Sequence, residues 1–436
     1  MRYCRAITVA ILLMPVTASA LSLDEALAIA REQATTLQTL DAETRQAEAL
    51  HQQSAQAFLP TISADASWLR ADSSLITGVP VPTSGMPPGI QRTDLGPVEG
   101  TVSGVQVVQP VFNADALQQR EAADINVDAR RHAQQWGQQA LRLEVARQYF
   151  NVLRLHEQQK AAVQSRSATH EAARLARASY EEGLAPRIDK EQADAELAAA
   201  SARVAKAEAA NQQAQYQLKS LLGMAPQEPL DIDDAVPRPE PPTEMRDAAP
   251  RKDLQARQLA VNAADARTTA SEADWIPRVN LLARQQWAHG NELLDDNADG
   301  WLVAVNLQWT LFDGFGRQGR IAESRAEADK ARAELEETRR RIQREQAIAT
   351  SQWQAGYAAW QAARKSTQAA QRAARLATRR YEEGIGSMTD LLAARARLDR
   401  ERASRIDSRY QAVLAGMNYH LQNGRDPLLA LGAQHP

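Results

Sequence analysis

The sequence predicts a mixed α/β membrane protein built from two sequence repeats, each joining long helices to a pair of amphipathic strands. Three observations carry this. Tyr180-Glu181-Glu182-Gly183 returns as Tyr381-Glu382-Glu383-Gly384, and an aspartate follows each glycine at the same distance, Asp189 and Asp390. Aromatic residues make up only 5% and charged residues 24% of the 436 residues, while Ala, Gln, Glu and Arg fill long stretches, the profile of extended helices and not of compact cores. Four short segments alternate apolar and polar residues, two in each half.

The N-terminus sets the compartment. Arg2 and Arg5 precede the apolar run from Ala6 to Val16, and Ala18-Ser19-Ala20 offers a small-x-small cleavage site, the pattern of a secretory signal peptide over residues 1–20. The single cysteine, Cys4, lies inside it, so no disulfide framework and no lipid anchor at a mature N-terminal cysteine are expected. No later run is apolar for long enough to form a transmembrane helix, so membrane insertion would require a β-barrel. A net charge of -3 gives no electrostatic case for nucleic-acid binding.

The helices are read from what is missing. From about Asn113 to Tyr180, and again from about Asp313 to Tyr381, little breaks a helix: Gly137 stands alone in the first run, while Gly314, Gly316 and Gly319 cluster at the start of the second and Gly356 lies further in. Helices of about 68 residues would be about 100 Å long. Their apolar positions, such as Leu141, Val145, Tyr149 and Val152, form a narrow stripe suited to side-by-side, alanine-mediated packing as in coiled coils. Shorter runs over about Leu23–Phe58, Asp189–Leu222, Arg251–Trp275 and Leu391–Gln422 are their antiparallel partners.

The strands follow prolines or loops. Residues 301–312 put Trp301, Val303, Val305, Leu307, Trp309 and Leu311 on one face and Leu302, Ala304, Asn306, Gln308 and Thr310 on the other. Residues 279–287 and the stretch from Ile62 to Trp68 alternate likewise, and the segment Val105–Asn113 corresponds to Val305–Asp313. Strands of this length, apolar on one side with tryptophans near the ends, fit a transmembrane barrel with a wet interior. Pro60, Phe112, Pro277 and Phe312 mark the helix-to-strand junctions. Residues 70–100 and His289–Gly300 are the loops between strands. The domain reading is therefore 1–20 signal peptide, 21–223 first repeat, 224–250 linker, 251–424 second repeat and 425–436 tail. The linker holds seven of the 19 prolines and is expected to lie against the helices as an ordered or semi-rigid segment.

Four strands cannot close a barrel in lipid, and an open edge cannot persist there. Two copies would pool 8 strands and three would pool 12; an eight-stranded barrel is filled by its own side chains, whereas twelve leave room for a pore. A homotrimer with a 12-stranded β-barrel, four strands per chain, is favoured, with the long helices forming a cylinder beyond it.

At this point the chain resembles the TolC family of outer-membrane channel proteins (outer membrane factors) over nearly the whole mature sequence. The resemblance rests on the duplicated plan, on Ala146-Arg147-Gln148-Tyr149-Phe150-Asn151-Val152-Leu153, on Val107-Val108-Gln109-Pro110-Val111-Phe112 with its second-half counterpart, and on the two Tyr-x-x-Gly turns. It implies a trimeric outer-membrane barrel continuing into a coiled-coil periplasmic tunnel. The inner end of that tunnel would open when a periplasmic adaptor (a membrane fusion protein) and, through it, an inner-membrane transporter engage. The implied function is the exit duct of a tripartite efflux system for small toxic compounds. The alternative is the outer-membrane channel of a type I protein secretion system, and a third reading is a pore-free periplasmic scaffold. The implied location is the bacterial outer membrane, in contact with its lipid.

The resemblance also assigns residues. It implies a periplasmic gate formed by Asp189, Asp390, Tyr180 and Tyr381, and adaptor-contacting tips at Gly183, Leu184, Gly384 and Ile385. The sequence departs from the family pattern at Gly386, where a latch arginine would fall, at Ala393, where a second aspartate would fall, and at Glu182 and Glu383, which replace an apolar residue. Simpler roles stand beside these: glycines as helix C-caps, aspartates as N-caps, tyrosines as packing residues. Residues 295–299 (DDNAD) lack the distal glutamate of a calcium loop. The seven histidines form no HExxH, and no nucleophile elbow is present. The chain is expected to be no enzyme, with no catalytic residue, no cofactor and no metal site.

Overall fold

The computed structural model describes residues 20–71, 98–233, 235–243, 249–290 and 298–434. The signal-peptide reading, apart from Ala20, and most of both inter-strand loops therefore lie outside the described residues. In chain order the elements are α1 (Leu23–Gln33), α2 (Thr35–Ser54), β1 (Thr61–Ala71), β2 (Val98–Phe112), α3 (Ala114–Glu181), α4 (Arg187–Leu221), α5 (Lys252–Ala273), β3 (Arg278–Gly290), β4 (Ala298–Gln308), α6 (Gly316–Glu382) and α7 (Met388–Gln422). Short 3₁₀ turns cover Ala55–Ala57 and Pro427–Gln434. Helices α3 and α6 run for 68 and 67 residues, and α4 and α7 for 35 each. Among the described residues no helix is long and apolar enough to cross a membrane.

The chain forms two compact units. One comprises the described parts of Met1–Asp41, Gln134–Lys252 and Arg339–Pro436; the other comprises those of Ala42–Ala133 and Asp253–Thr338.

The second unit holds a four-stranded antiparallel sheet in the order β1-β2-β3-β4. Directly opposed residues share a face, so the register decides whether the four alternations agree. They do. Ile62 opposes Val107, Val107 opposes Ala283 and Ala283 opposes Val303; Ala64 opposes Val105, and Leu281 opposes Val305. All of these occupy one face, together with Trp68, Trp287 and Trp301. The other face carries Asp65, Gln106, Arg284 and Asn306 among apolar Val108, Leu282 and Leu302, with Arg284 donating to Asp65 at 2.9 Å and to Gln106 at 3.2 Å, while Ser103 and Gln285 interrupt the first face. Pro110 breaks the ladder where the β2–β3 register shifts, one of the few sheet positions that tolerate a residue without an N–H.

Two boundaries differ from the sequence reading. β4 ends at Gln308 and not at residue 312, because Gln308 already pairs with Arg278, the first residue of β3. Beyond it no strand among the described residues pairs with Trp309–Phe312. The Trp309 indole donates to the Trp275 carbonyl at 3.1 Å and Arg317 donates to the Thr310 carbonyl at 2.6 Å, which hold this segment instead. α6 begins at Gly316 because Gly314 and Phe315 are both left-handed, with φ of 65° and 68°. The Leu23–Phe58 run is likewise divided, by extended Ala34 with ψ 117°.

The junction residues sit where strands meet helices: Pro60 and Pro277 directly precede β1 and β3, Phe112 ends β2, and Phe312 follows β4 in the irregular segment. A charged knot ties these ends together. Arg278 pairs with Asp115 at 2.8 Å and with Asp274 at 3.3 Å, Arg320 reaches Asp274 at 2.7 Å, and Arg317 lies 4.0 Å above the Trp275 ring. Arg317 is 3% exposed and Asp115 is also buried, so these groups are shielded from screening by solvent.

The first unit has the larger core. Leu23, Ala26 and Ala30 of α1, Val145, Tyr149, Phe150 and Leu153 of α3, Leu218 of α4, and Tyr410, Val413 and Met417 of α7 pack together. Gly137 lets α3 approach α2, since a Cβ there would overlap the Leu40 side chain. The proline-rich segment after α4 lies against this core: Leu21 forms a parallel bridge with Ile232, Tyr149 donates to the carbonyls of Leu21 at 3.0 Å and Asp233 at 3.2 Å, and Arg409 donates to Val236 at 2.6 Å.

His420 belongs to this core and has a pH consequence. It is 9% exposed, its ring lies 6.1 Å from Trp353 and 6.0 Å from Tyr419, and among the described residues neither ring nitrogen has a hydrogen-bond partner. Burial pushes its pKa below the ordinary value; Arg425 adds to this and Asp426 opposes it. The unfolded chain therefore binds a proton more readily than the folded one. Stability should be full above pH ~6.5 and fall as the pH drops below it. Thermal melting at pH 7.5 and 5.5 should show this loss, and His420→Gln should reduce it.

Candidate functional site: the two helical turns

The repeated Tyr-Glu-Glu-Gly stretches close α3 and α6 in the same way. Each helix runs through the first glutamate, and the glycine is left-handed, with φ of 75° at Gly183 and 69° at Gly384. Leu184 N–H reaches back to the Ser179 carbonyl at 2.8 Å and Ile385 N–H to the Arg380 carbonyl at 2.9 Å, while each glycine N–H donates to its tyrosine's carbonyl at 3.0 Å. This pairing satisfies carbonyls that a helix end leaves open. A Cβ at either glycine would meet nothing within 4 Å, so the demand is conformational and not steric. The next residues are presented outward: Leu184 is 77% and Ile385 is 64% exposed.

Neither aspartate is an N-cap. α4 begins at Arg187 behind Pro186, which has no side-chain oxygen to cap with, and α7 begins at Met388 behind Ser387. Both helices thus start two residues before the aspartate, so Asp189 and Asp390 fall in the first turn, where a negative charge complements the free N–H groups. The Ser387 hydroxyl accepts from the Asp390 N–H at 3.0 Å and donates to the Asp390 carboxylate at 2.8 Å. Asp390 is exposed and Asp189 is half-buried.

The tyrosines differ. Tyr180 is exposed, with the Lys190 ammonium 5.8 Å from its ring centre. Tyr381 packs against a small-residue cluster of Ala172, Ala173, Ala176, Ala193, Met388 and Leu391. Its hydroxyl pKa is raised, first by burial and then by the charge of Asp189; a contact with Ser179 pulls the other way without meeting hydrogen-bond geometry. The structure therefore brings Tyr381 of the second turn near Asp189 of the first, and leaves Tyr180 and Asp390 outside that pair.

Sequence reasoning missed a set of polar contacts between α3 and α7. Arg154 and Gln158 both donate to Asp407 at 2.8 Å, Ser165 donates to Asp399, and Arg395 donates to the carbonyl of Ala168. Burial lowers the pKa of Arg395, opposed by Asp399 and Glu382. Nearer the turns, Thr389 of α7 meets Gln192 of α4 at 3.3 Å. No sequence signal links these partners, which lie far apart in the chain. At Gly386 a Cβ would stand 3.1 Å from Arg380, so a larger residue would press on the end of α6. Ala393 is exposed on α7. Among the described residues no group of three or more His, Cys, Asp or Glu side chains is placed to hold a metal ion.

Comparison with known proteins decides the family. The sequence pattern of outer membrane efflux proteins matches residues 26–224 and 248–417, most of the chain. The chain belongs to the outer membrane efflux protein family. Solved structures of similar fold include the outer-membrane channel OprN, 22% identical with a TM-score of 0.74 over 92% of this chain and 89% of that one. The Campylobacter jejuni CmeC outer membrane channel is 15% identical with a TM-score of 0.79 over 97% and 93%. The open state of the Neisseria gonorrhoeae MtrE outer membrane channel is 19% identical with a TM-score of 0.76 over 93% and 89%. No curated protein sequence gave a significant match. This family member thus shares its fold with channel proteins.

Proposed function

We propose that this protein is the outer-membrane exit duct of a tripartite efflux system. Three copies would close a 12-stranded barrel whose lumen opens into a periplasmic helical tunnel. The observation that carries the reading is the register of the sheet. It gathers Trp68, Val105, Val107, Trp287, Trp301, Val303 and Val305 on one side and a polar network around Arg284 on the other, and among the described residues it leaves β1 and β4 as unpaired edges. An apolar outer face and a polar inner face are what a water-filled barrel needs, and edges in lipid must be satisfied by another copy. The near-equal lengths of α3 and α6, and the equal lengths of α4 and α7, support two structural repeats, so each chain would supply two hairpins and the trimer six.

The turns would then form the inner end of the tunnel. Asp189 and Asp390 in three copies would place carboxylates around one axis, favouring cations and repelling one another. Tyr381, within the electrostatic reach of Asp189, would hold the closed arrangement, with Tyr180 on the exposed side of the neighbouring turn. Gly183-Leu184 and Gly384-Ile385 present apolar side chains to a periplasmic adaptor, through which an inner-membrane transporter would deliver cargo. The Arg395–Ala168 and Ser165–Asp399 contacts between the hairpins would supply closing interactions where Gly386 and Ala393 lack charge.

Efflux is tested in cells lacking the chain. They should accumulate a fluorescent cationic dye and become more sensitive to toxic compounds, with both effects reversed by the wild-type chain. Unchanged accumulation and sensitivity would remove efflux as the function.

A further inference from the structure

The first unit holds a cavity of about 550 Å³ whose charge neither the turns nor the barrel explains. Six cationic side chains line it, Lys160 of α3, Arg364 of α6, Arg402, Arg405 and Arg409 of α7, and Arg238 of the segment after α4, against one acidic residue, Glu157. The whole chain carries a net charge of -3, so this concentration is local and does not follow from composition.

The arrangement is built. Arg402, Arg405 and Arg409 follow the three- and four-residue spacing that aligns side chains on one helix face. Arg409 donates to the Val236 carbonyl at 2.6 Å and lies 3.9 Å from Glu157, which fixes the segment carrying Arg238 against α7. Trp360 is 6% exposed, and the Arg364 guanidinium lies 5.1 Å from its ring centre, which orients that group. Arg402 is 4.0 Å from Asp399, while Arg238, Arg364 and Arg405 form no ion pair among the described residues. Arg238, Arg364 and Arg405 are exposed at the rim of this concavity, where their positive charges sum to a potential that attracts anions from solvent. Their planar forks match phosphate and carboxylate oxygens, often two at a time.

We propose that this cavity is a binding site for a multivalent oxyanion, a ligand carrying two or more phosphate or carboxylate groups. Bound there, it would bridge α3, α6, α7 and the segment after α4, joining both long hairpins to the linker. The inference stands apart from the duct reading: the site would bind its ligand whether or not the chain conducts.

The test is titration calorimetry on the full mature protein in an uncharged detergent at low salt, with inorganic pyrophosphate and citrate as probes. Wild type should show one saturable site per chain, weakened by added salt. Arg364→Gln with Arg405→Gln should weaken binding by about tenfold or more, the scale of losing charge-assisted hydrogen bonds, without changing oligomeric size or melting temperature. Arg238→Gln, outside the helices, provides a second variant with the same expectation if the double variant misfolds. Tighter pyrophosphate binding assigns the site to phosphate-bearing ligands, and tighter citrate binding assigns it to carboxylates. Absence of a saturable site in wild type, or wild-type affinity in the variants, would overturn the proposal.

Discussion

Val305→Arg is expected to abolish accumulation of the protein as a membrane-extracted oligomer, whereas Asn306→Arg, one residue along, is expected to be tolerated. Val305 is 71% exposed in the single chain and opposes Leu281 on the apolar face; Asn306 opposes Asn280 on the polar face. A charge on the lipid side of a barrel costs about 2–4 kcal/mol near the bilayer midplane and little on the lumen side. In a trimer the cost recurs in each copy, roughly threefold, comparable with the whole stability of many proteins. Membrane fractionation followed by unheated gel electrophoresis reads the outcome. Equal loss in both variants would mean that the two faces are not distinguished by lipid and water.

Loosening the contacts between α3 and α7 should give the largest functional effect. Arg395→Ala combined with Asp399→Ala removes the hydrogen bond to the Ala168 carbonyl and the one from Ser165. Arg395 and Asp399 are both half-buried, and hydrogen bonds to charged groups contribute about 1.5–3 kcal/mol each. Three chains losing two such contacts would shift a closed tunnel end toward open by a large factor, and single-channel conductance should rise several-fold. Arg203→Ala is the control, since its pairing with Glu196 at 2.7 Å stays within α4 and Arg203 is exposed, so conductance should not change. A double variant indistinguishable from wild type would make the contacts structural only.

Much of the fold was legible because its signals are local. Long breaker-free runs specify helices, and alternation at Ile62–Trp68 and Trp301–Leu307 specifies strand faces without knowledge of the partner strand. Where the reading overran, the cause lay outside local pattern. Trp309–Phe312 alternates as well as β4 does, but among the described residues it has no strand to pair with. Phe315 adopts a left-handed conformation that its residue type disfavours. At the turns, glycine and the repeated tetrapeptide marked the positions, and the chain itself revealed that Asp189 and Asp390 sit inside the first helical turn. The Tyr381–Asp189 proximity, the α3–α7 contacts and the arginine-lined cavity join residues far apart in sequence, and no spacing rule reports such pairs.

The central claim is that copies of this chain enclose a water-filled pore with acidic residues at its narrow end. Single-channel recording of the purified protein in planar bilayers tests it most directly. The account predicts a small, cation-selective conductance in wild type whose selectivity falls in Asp390→Ala. A folded, membrane-extracted oligomer that passes no current in either form would contradict it.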